Sequence, residues 1–232
     1  MTSSLPDKKA SAHDIQAFIG KVKNTALVTS ASKGRLIFAM DATASREHCW
    51  DMASQQHAAM FAQVDKVSAL SVQLCYYRGM GEFKALPWTS GADEIKQSLL
   101  SVRCLAGQTQ IAKVLSHALS ENRTKKVNAL VFVGDCVEEN PDSLGALAGQ
   151  LGILNLPVFI FQEGNDSNVG SIFSQLATLS GGAHCQFDQG SAKQLGQLLA
   201  AVAVYATGGK SALKSNLLSN DASVQRLLQQ LK

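Results

Sequence analysis

Long apolar runs are missing from this chain: no stretch of its 232 residues approaches the length needed to cross a bilayer. The longest apolar helical segment, residues 198–206, is flanked by Gln194 and Gln197 and is too short to span. The amino-terminal MTSSLPDKKASAHD is polar and lacks the apolar core of a secretory signal. Paired cysteines are missing as well. The five thiols, Cys49, Cys75, Cys104, Cys136 and Cys185, are odd in number, widely spaced and mostly set within apolar runs, so they read as reduced core residues and not as a disulfide framework. Together these absences make the cytoplasm the expected compartment, with no membrane insertion.

Charge of one sign is scarce. The net charge is only +3 and the basic residues are scattered apart from Lys8-Lys9 and Lys125-Lys126, which leaves no phosphate-backbone footprint and argues against nucleic acid as a partner. No G-x-G-x-x-G or G-x-x-x-x-G-K-[ST] occurs, removing the usual dinucleotide and P-loop readings, and no G-x-S-x-G elbow supports a serine hydrolase. Internal repeats and low-complexity tracts are absent too. What is present, 46% hydrophobic and 17% charged residues, is the composition of a globular protein. The length suits one domain able to bury its own core.

Hydrophobic patterning gives the architecture. Ile15, Phe18, Ile19 and Val22 share one face of a short helix in the extension 1–32. Residues 35–40 form a continuous apolar run, the pattern of a strand covered on both faces, and 45–64 follow with helical periodicity. Residues 69–77 and 82–86, joined by Arg78-Gly79-Met80-Gly81, read as a β-hairpin that supplies one antiparallel edge strand. Further strands are expected at 127–133, 157–161 and 184–187, with helices at 91–101, 110–121, 140–152, 171–180 and 191–207, the last ended by Gly208-Gly209. The alternation predicts an α/β, doubly wound, Rossmann-like, mostly parallel six-stranded sheet with helices on both faces, spanning 33–207. The tail 208–232 carries one weakly amphipathic stretch, Val224, Leu227, Leu228 and Leu231, able to dock in cis or bind a partner helix.

The chain is organised around its first strand-to-helix turn, where Leu36-Ile37-Phe38-Ala39-Met40 runs into Asp41-Ala42-Thr43-Ala44-Ser45. In an open α/β sheet such turns face the ligand crevice. Thr109 opens a second helix just after Gly107, which permits a tight bend, and Asp135 ends a second central strand. Each of these residues alone is a commonplace helix cap or solvated strand end. In this order, each at an element terminus of this topology, they form an all-oxygen set of two carboxylates and three hydroxyls that suits Mg²⁺ or Mn²⁺, less so Ca²⁺, and not zinc.

This pattern resembles the von Willebrand factor type A (vWA) domain with a metal-ion-dependent adhesion site (MIDAS). The family's Asp-x-Ser-x-Ser loop is matched by Asp41, Thr43 and Ser45, its isolated Thr by Thr109, and its strand-end Asp by Asp135. The resemblance implies that Thr43, Ser45 and Thr109 ligate the cation directly while Asp41 and Asp135 supply charge. It further implies that an unidentified partner protein's Asp or Glu completes the shell, in relatives often beside ATPases or chaperone-like assemblies. Movement of the last helix can accompany such ligation in relatives. Three positions depart from the family pattern: Thr43 replaces Ser, Gln108 a Gly, and Gly134-Asp135-Cys136 a Thr/Ser-Asp-Gly. The first keeps its hydroxyl; the others change loop packing.

The competing chemistry is a metal-dependent phosphohydrolase of haloacid-dehalogenase type with Asp41 as nucleophile. It lacks a general acid, because Thr43 stands two residues on. His48 and His57 read as a pair on a helix flank, and His117 and His184 have no Cys or His at ligand spacing. Residues 163–168 are polar enough for calcium but read as a solvated loop.

Overall fold

Strand β1, Gly34–Asp41, has every residue buried, as its unbroken apolar run requires of a strand with neighbours on both sides. The computed structural model describes residues 34–44, 70–187, 192–215 and 221–231, all within the compact unit Lys33–Lys232. The helices expected at 14–22 and 45–64, with Cys49, His48 and His57, lie outside the described residues.

The other described strands are β2 Leu70–Arg78, β3 Glu82–Ala85, β4 Ala129–Gly134, β5 Val158–Glu163 and β6 Ala183–Phe187. They form one sheet in the order β3-β2-β1-β4-β5-β6. Only the β2–β3 hairpin is antiparallel; β1 pairs in parallel with both β2 and β4, so it lies inside the sheet with its carboxyl end beside theirs. The expected α/β class, strand number and antiparallel edge are all observed.

The described helices are α1 Ala92–Ser101, α2 Ile111–Thr124, α3 Pro141–Ile153, α4 Ser167–Ser180, α5 Ala192–Ser215 and α6 Ala222–Gln230. The pleat of β1 divides the core between two faces. Leu36, Phe38 and Met40 pack with Leu99 of α1, Val202 of α5 and Leu227 of α6 in one cluster. Ile37 and Ala39 belong to the opposite cluster with Leu115 of α2, Leu151 of α3 and Phe173 of α4. Each fully buried aliphatic or aromatic side chain contributes about 1.5–3 kcal/mol. None of the described helices is long and apolar enough to cross a membrane.

Two local expectations change and one open alternative is decided. Helix α4 starts at Ser167 instead of 171, because the Asp166 carboxylate accepts the Asn168 and Val169 N–H groups at 2.8 and 3.1 Å and caps it. The stretch 163–168 joins the end of β5 to the helix start through an exposed connection, as expected of a solvated loop, with Glu163 buried and the Asp166 carboxylate spent on the cap. The glycine pair interrupts α5 without ending it: Gly209 adopts φ 68° and ψ −169°, and helix resumes to Ser215. The amphipathic tail docks in cis as α6, burying Val224, Leu227 and Leu231 in the core. There the Gln230 side chain accepts the His184 N–H at 2.8 Å and donates to the His184 carbonyl at 2.9 Å, satisfying both backbone groups on the outer side of β6.

Four described cysteines are free thiols, of which Cys75 alone is fully buried. Burial raises the thiol pKa of Cys75, and pushes that of Cys185 up to about 11. His117 and His184 bond to Gln73 and Gln162. The Gln162 amide donates to the Asp166 carbonyl, so its oxygen faces His184 and Nε2 of that ring carries the proton.

Candidate metal centre

Asp41 is the last residue of β1 and its side chain is fully buried. A buried carboxylate is tolerable only when its charge is met by donors. Here Oδ1 accepts the Thr43 N–H at 2.7 Å, a local turn, and Oδ2 accepts the Tyr77 hydroxyl at 2.9 Å. Sheet register explains the second contact, since Asp41 and Tyr77 are paired across β1 and β2. Burial first, then the Asp41 charge, raises the Tyr77 pKa, so the phenol stays protonated and remains a donor. Its ring stacks on Phe132 with centroids 6.2 Å apart.

Asp135 follows β4, the strand beside β1. A side chain on Gly134 would begin 2.7 Å from Phe132 Cζ and 3.6 Å from Asp41 Cβ, which accounts for glycine in place of a hydroxyl residue and shows how closely the two strand ends approach. Asp135 Oδ1 is buried and has no hydrogen-bond partner among the described residues.

The Thr109 loop is fastened to the same edge. Leu105 N–H donates to the Ala42 carbonyl at 3.1 Å, and Gly79 N–H to the Leu105 carbonyl at 3.2 Å. Gly107 is required by close backbone approach: a Cβ there would lie 1.9 Å from the Gly79 carbonyl oxygen. Thr109 Oγ1 donates to Glu139 Oε2 at 2.9 Å and accepts the Glu138 N–H at 2.9 Å, while its own N–H donates to Glu138 Oε2 at 2.8 Å. Glu139 Oε1 also accepts the Ala112 N–H at 2.8 Å, at the start of α2. A hydroxyl has one proton and two lone pairs, so Thr109 retains one lone pair for a further partner.

The structure thus brings Asp41, Thr43, Thr109 and Asp135 to neighbouring loops at the carboxyl edge of β1 and β4. Ser45 lies outside the described residues. Tyr77, Glu138 and Glu139 were missed as site residues. Glu138 and Glu139 had a signal in standing three and four residues after Asp135; Tyr77 had none without the register. Among the described residues no group of three or more His, Cys, Asp or Glu could hold a metal by itself, which leaves a mixed carboxylate-hydroxyl set as the candidate. An orphaned carboxylate oxygen, a second buried carboxylate and a hydroxyl with a spare lone pair are donors that suit a hard cation.

No protein-family model matches the sequence, and no curated protein matches it. Solved structures do match. A von Willebrand factor type A protein from Catenulispora acidiphila aligns with TM-score 0.61 and 15% identity over 77% of this chain and 44% of that one. Proximal thread matrix protein 1 from the mussel byssus, with a zinc-occupied MIDAS motif, aligns with TM-score 0.57 and 13% identity over 84% of this chain and 53% of its own. An aerotolerance-related membrane protein from Bacteroides fragilis aligns with TM-score 0.54 and 16% identity over 70% of this chain and 96% of its own. The chain therefore spans about half or less of the first two and nearly all of the third. At such identities the likeness speaks for architecture, and with the observed strand order it makes the fold of this chain that of a von Willebrand factor type A domain.

Proposed function

We propose that this chain is a non-enzymatic binding module that holds a divalent cation, Mg²⁺ or Mn²⁺, through Asp41, Thr43, Ser45, Thr109 and Asp135. Through that cation it captures an Asp or Glu side chain of a partner protein. The observation that carries the reading is the buried Asp135 Oδ1, without a partner among the described residues, beside the strand end of Asp41. A bare carboxylate oxygen withdrawn from water is costly unless a cation or proton meets it. A hard cation with an incomplete oxygen shell attracts a further carboxylate, which is the chemistry the group supplies. Asp41 holds the Thr43 loop through Oδ1, and Glu138 and Glu139 hold Thr109 by its N–H and hydroxyl. The vWA domain of this reading spans 33–207, the compartment is the cytoplasm, and the partner class includes ATPase or chaperone-type assemblies.

Titration calorimetry tests the cation. Mg²⁺ or Mn²⁺ is expected to give a binding heat that Asp135→Ala abolishes, and a partner retained on immobilised protein is expected to be released by EDTA. The phosphohydrolase alternative is disfavoured by the burial of Asp41 and by the two donors that occupy its oxygens. Hydrolysis of a generic phosphate ester that disappeared with Asp41→Asn would overturn the binding reading.

A further inference from the structure

The turn between β2 and β3 carries an unusual combination of rigidity and exposed apolar surface. Met80 is 83% exposed and Leu105, on the Thr109 loop, is 51% exposed. Neither sits on a loosely held segment. The turn is pinned by Gly79 N–H on the Leu105 carbonyl, by the Gln110 amide on the Arg78 and Gly79 carbonyls at 3.2 and 3.3 Å, and by Lys113 Nζ on the Gly81 carbonyl at 2.7 Å. The Leu105 side chain lies against this turn, its Cδ2 being 2.9 Å from where a Gly79 Cβ would stand. Its N–H is bonded to Ala42, between Asp41 and Thr43. Two large exposed apolar side chains therefore project from a hydrogen-bonded backbone that is joined to the Asp41–Thr43 turn. Single exposed apolar residues are ordinary; two carried on one hydrogen-bonded backbone at a site edge are not.

Charge on this side is basic. Arg103 and Lys113 are exposed and make no ion pair among the described residues, whereas Arg78 is paired with Glu82. Glu138 and Glu139 hold Thr109 farther along the same loop, and Asp135 follows β4. The hairpin side thus presents two apolar side chains together with two cations that make no ion pair among the described residues.

We infer that Met80 and Leu105, flanked by Arg103 and Lys113, form a docking rim for an acidic peptide segment of a partner protein. That segment places a large apolar side chain next to the carboxylate that reaches the cation. The inference rests on the cation-capture reading and adds to it the partner's chemistry: an Asp or Glu with an apolar neighbour, in a net acidic stretch. Contact with Met80 and Leu105 supplies desolvation that carboxylate ligation alone lacks, and Arg103 and Lys113 steer the acidic flank and reject a basic one.

The test is selection of displayed random peptides on the full chain in Mg²⁺ with EDTA elution, followed by titration of synthetic copies of the enriched peptides. The expected pool has an acidic residue beside a Leu, Ile, Phe or Met in an acidic context. Met80→Ser/Leu105→Ser is expected to weaken these peptides about tenfold or more, and Arg103→Glu/Lys113→Glu to weaken them in a salt-dependent manner. Calorimetric Mg²⁺ binding and thermal melting are read on the same variants, so that a loss of metal or of fold is distinguished from loss of the rim. EDTA-eluted peptides without that consensus, or with wild-type affinity for the Met80/Leu105 variant, overturn the inference while leaving cation capture standing. Absence of any Mg²⁺ heat in the wild-type protein overturns both.

Discussion

Tyr77 and Asp41 show how one residue's environment decides another's. The phenol is kept protonated by burial and by the carboxylate it serves, and in turn supplies one of the donors that make a buried Asp41 tolerable. Tyr77→Phe is expected to destabilise the fold by about 1–3 kcal/mol, the range for leaving a buried acceptor unmet, read from urea unfolding. The histidines set a second expectation. Burial lowers the pKa of His184 below the ordinary 6.5, and burial outweighs the Glu121 charge to do the same for His117. The unfolded chain then binds more protons than the folded one below pH 6.5, so stability present above that pH falls as pH drops through it. Denaturation midpoints at pH 7.5 and 5.5 should diverge less in His184→Asn than in the wild-type protein.

At the scale of elements, the contrast between α6 and the β1 turn is instructive. Val224, Leu227, Leu228 and Leu231 marked an amphipathic stretch, but hydrophobic spacing cannot say whether a face meets the same chain or another. The fold provides the answer because β6 is an edge strand whose outer backbone groups need partners, and Gln230 supplies both. Leu227→Ala should therefore behave as a core truncation and cost about 2–5 kcal/mol, read as a shift of the urea midpoint. Asp166 adds to this: within a polar stretch that is exposed as expected its carboxylate also caps α4, a role composition does not separate from a turn, since Asp, Asn and Ser are favoured in both settings.

At the scale of the whole molecule, the candidate site depends on three loops held by a sheet that none of them belongs to wholly. A cation bound by those loops stabilises the folded state alone, by about 2.7 kcal/mol at a hundredfold excess over its Kd. For a domain of this size the corresponding rise in Tm on adding Mg²⁺ is roughly 5–10 °C. EDTA should reverse the rise and Asp135→Ala should abolish it. A Tm indifferent to both would mark a metal-free scaffold.

The sequence by itself determined the layer architecture, because an unbroken apolar run such as residues 35–40 has few stable places other than the middle of a covered sheet. It also marked Asp41, Thr43, Thr109 and Asp135, because polar residues at the ends of apolar elements are visible in one dimension. Only the tertiary structure decided which groups these residues meet. Tyr77 reaches Asp41 through strand register, Glu138 and Glu139 reach Thr109 through the packing of α2 beside the β4 loop, and Gly79 meets Leu105 because Gly107 lets two backbones nearly touch. Those pairings join residues far apart in the chain, and a linear pattern holds no information about them until the sheet order is known.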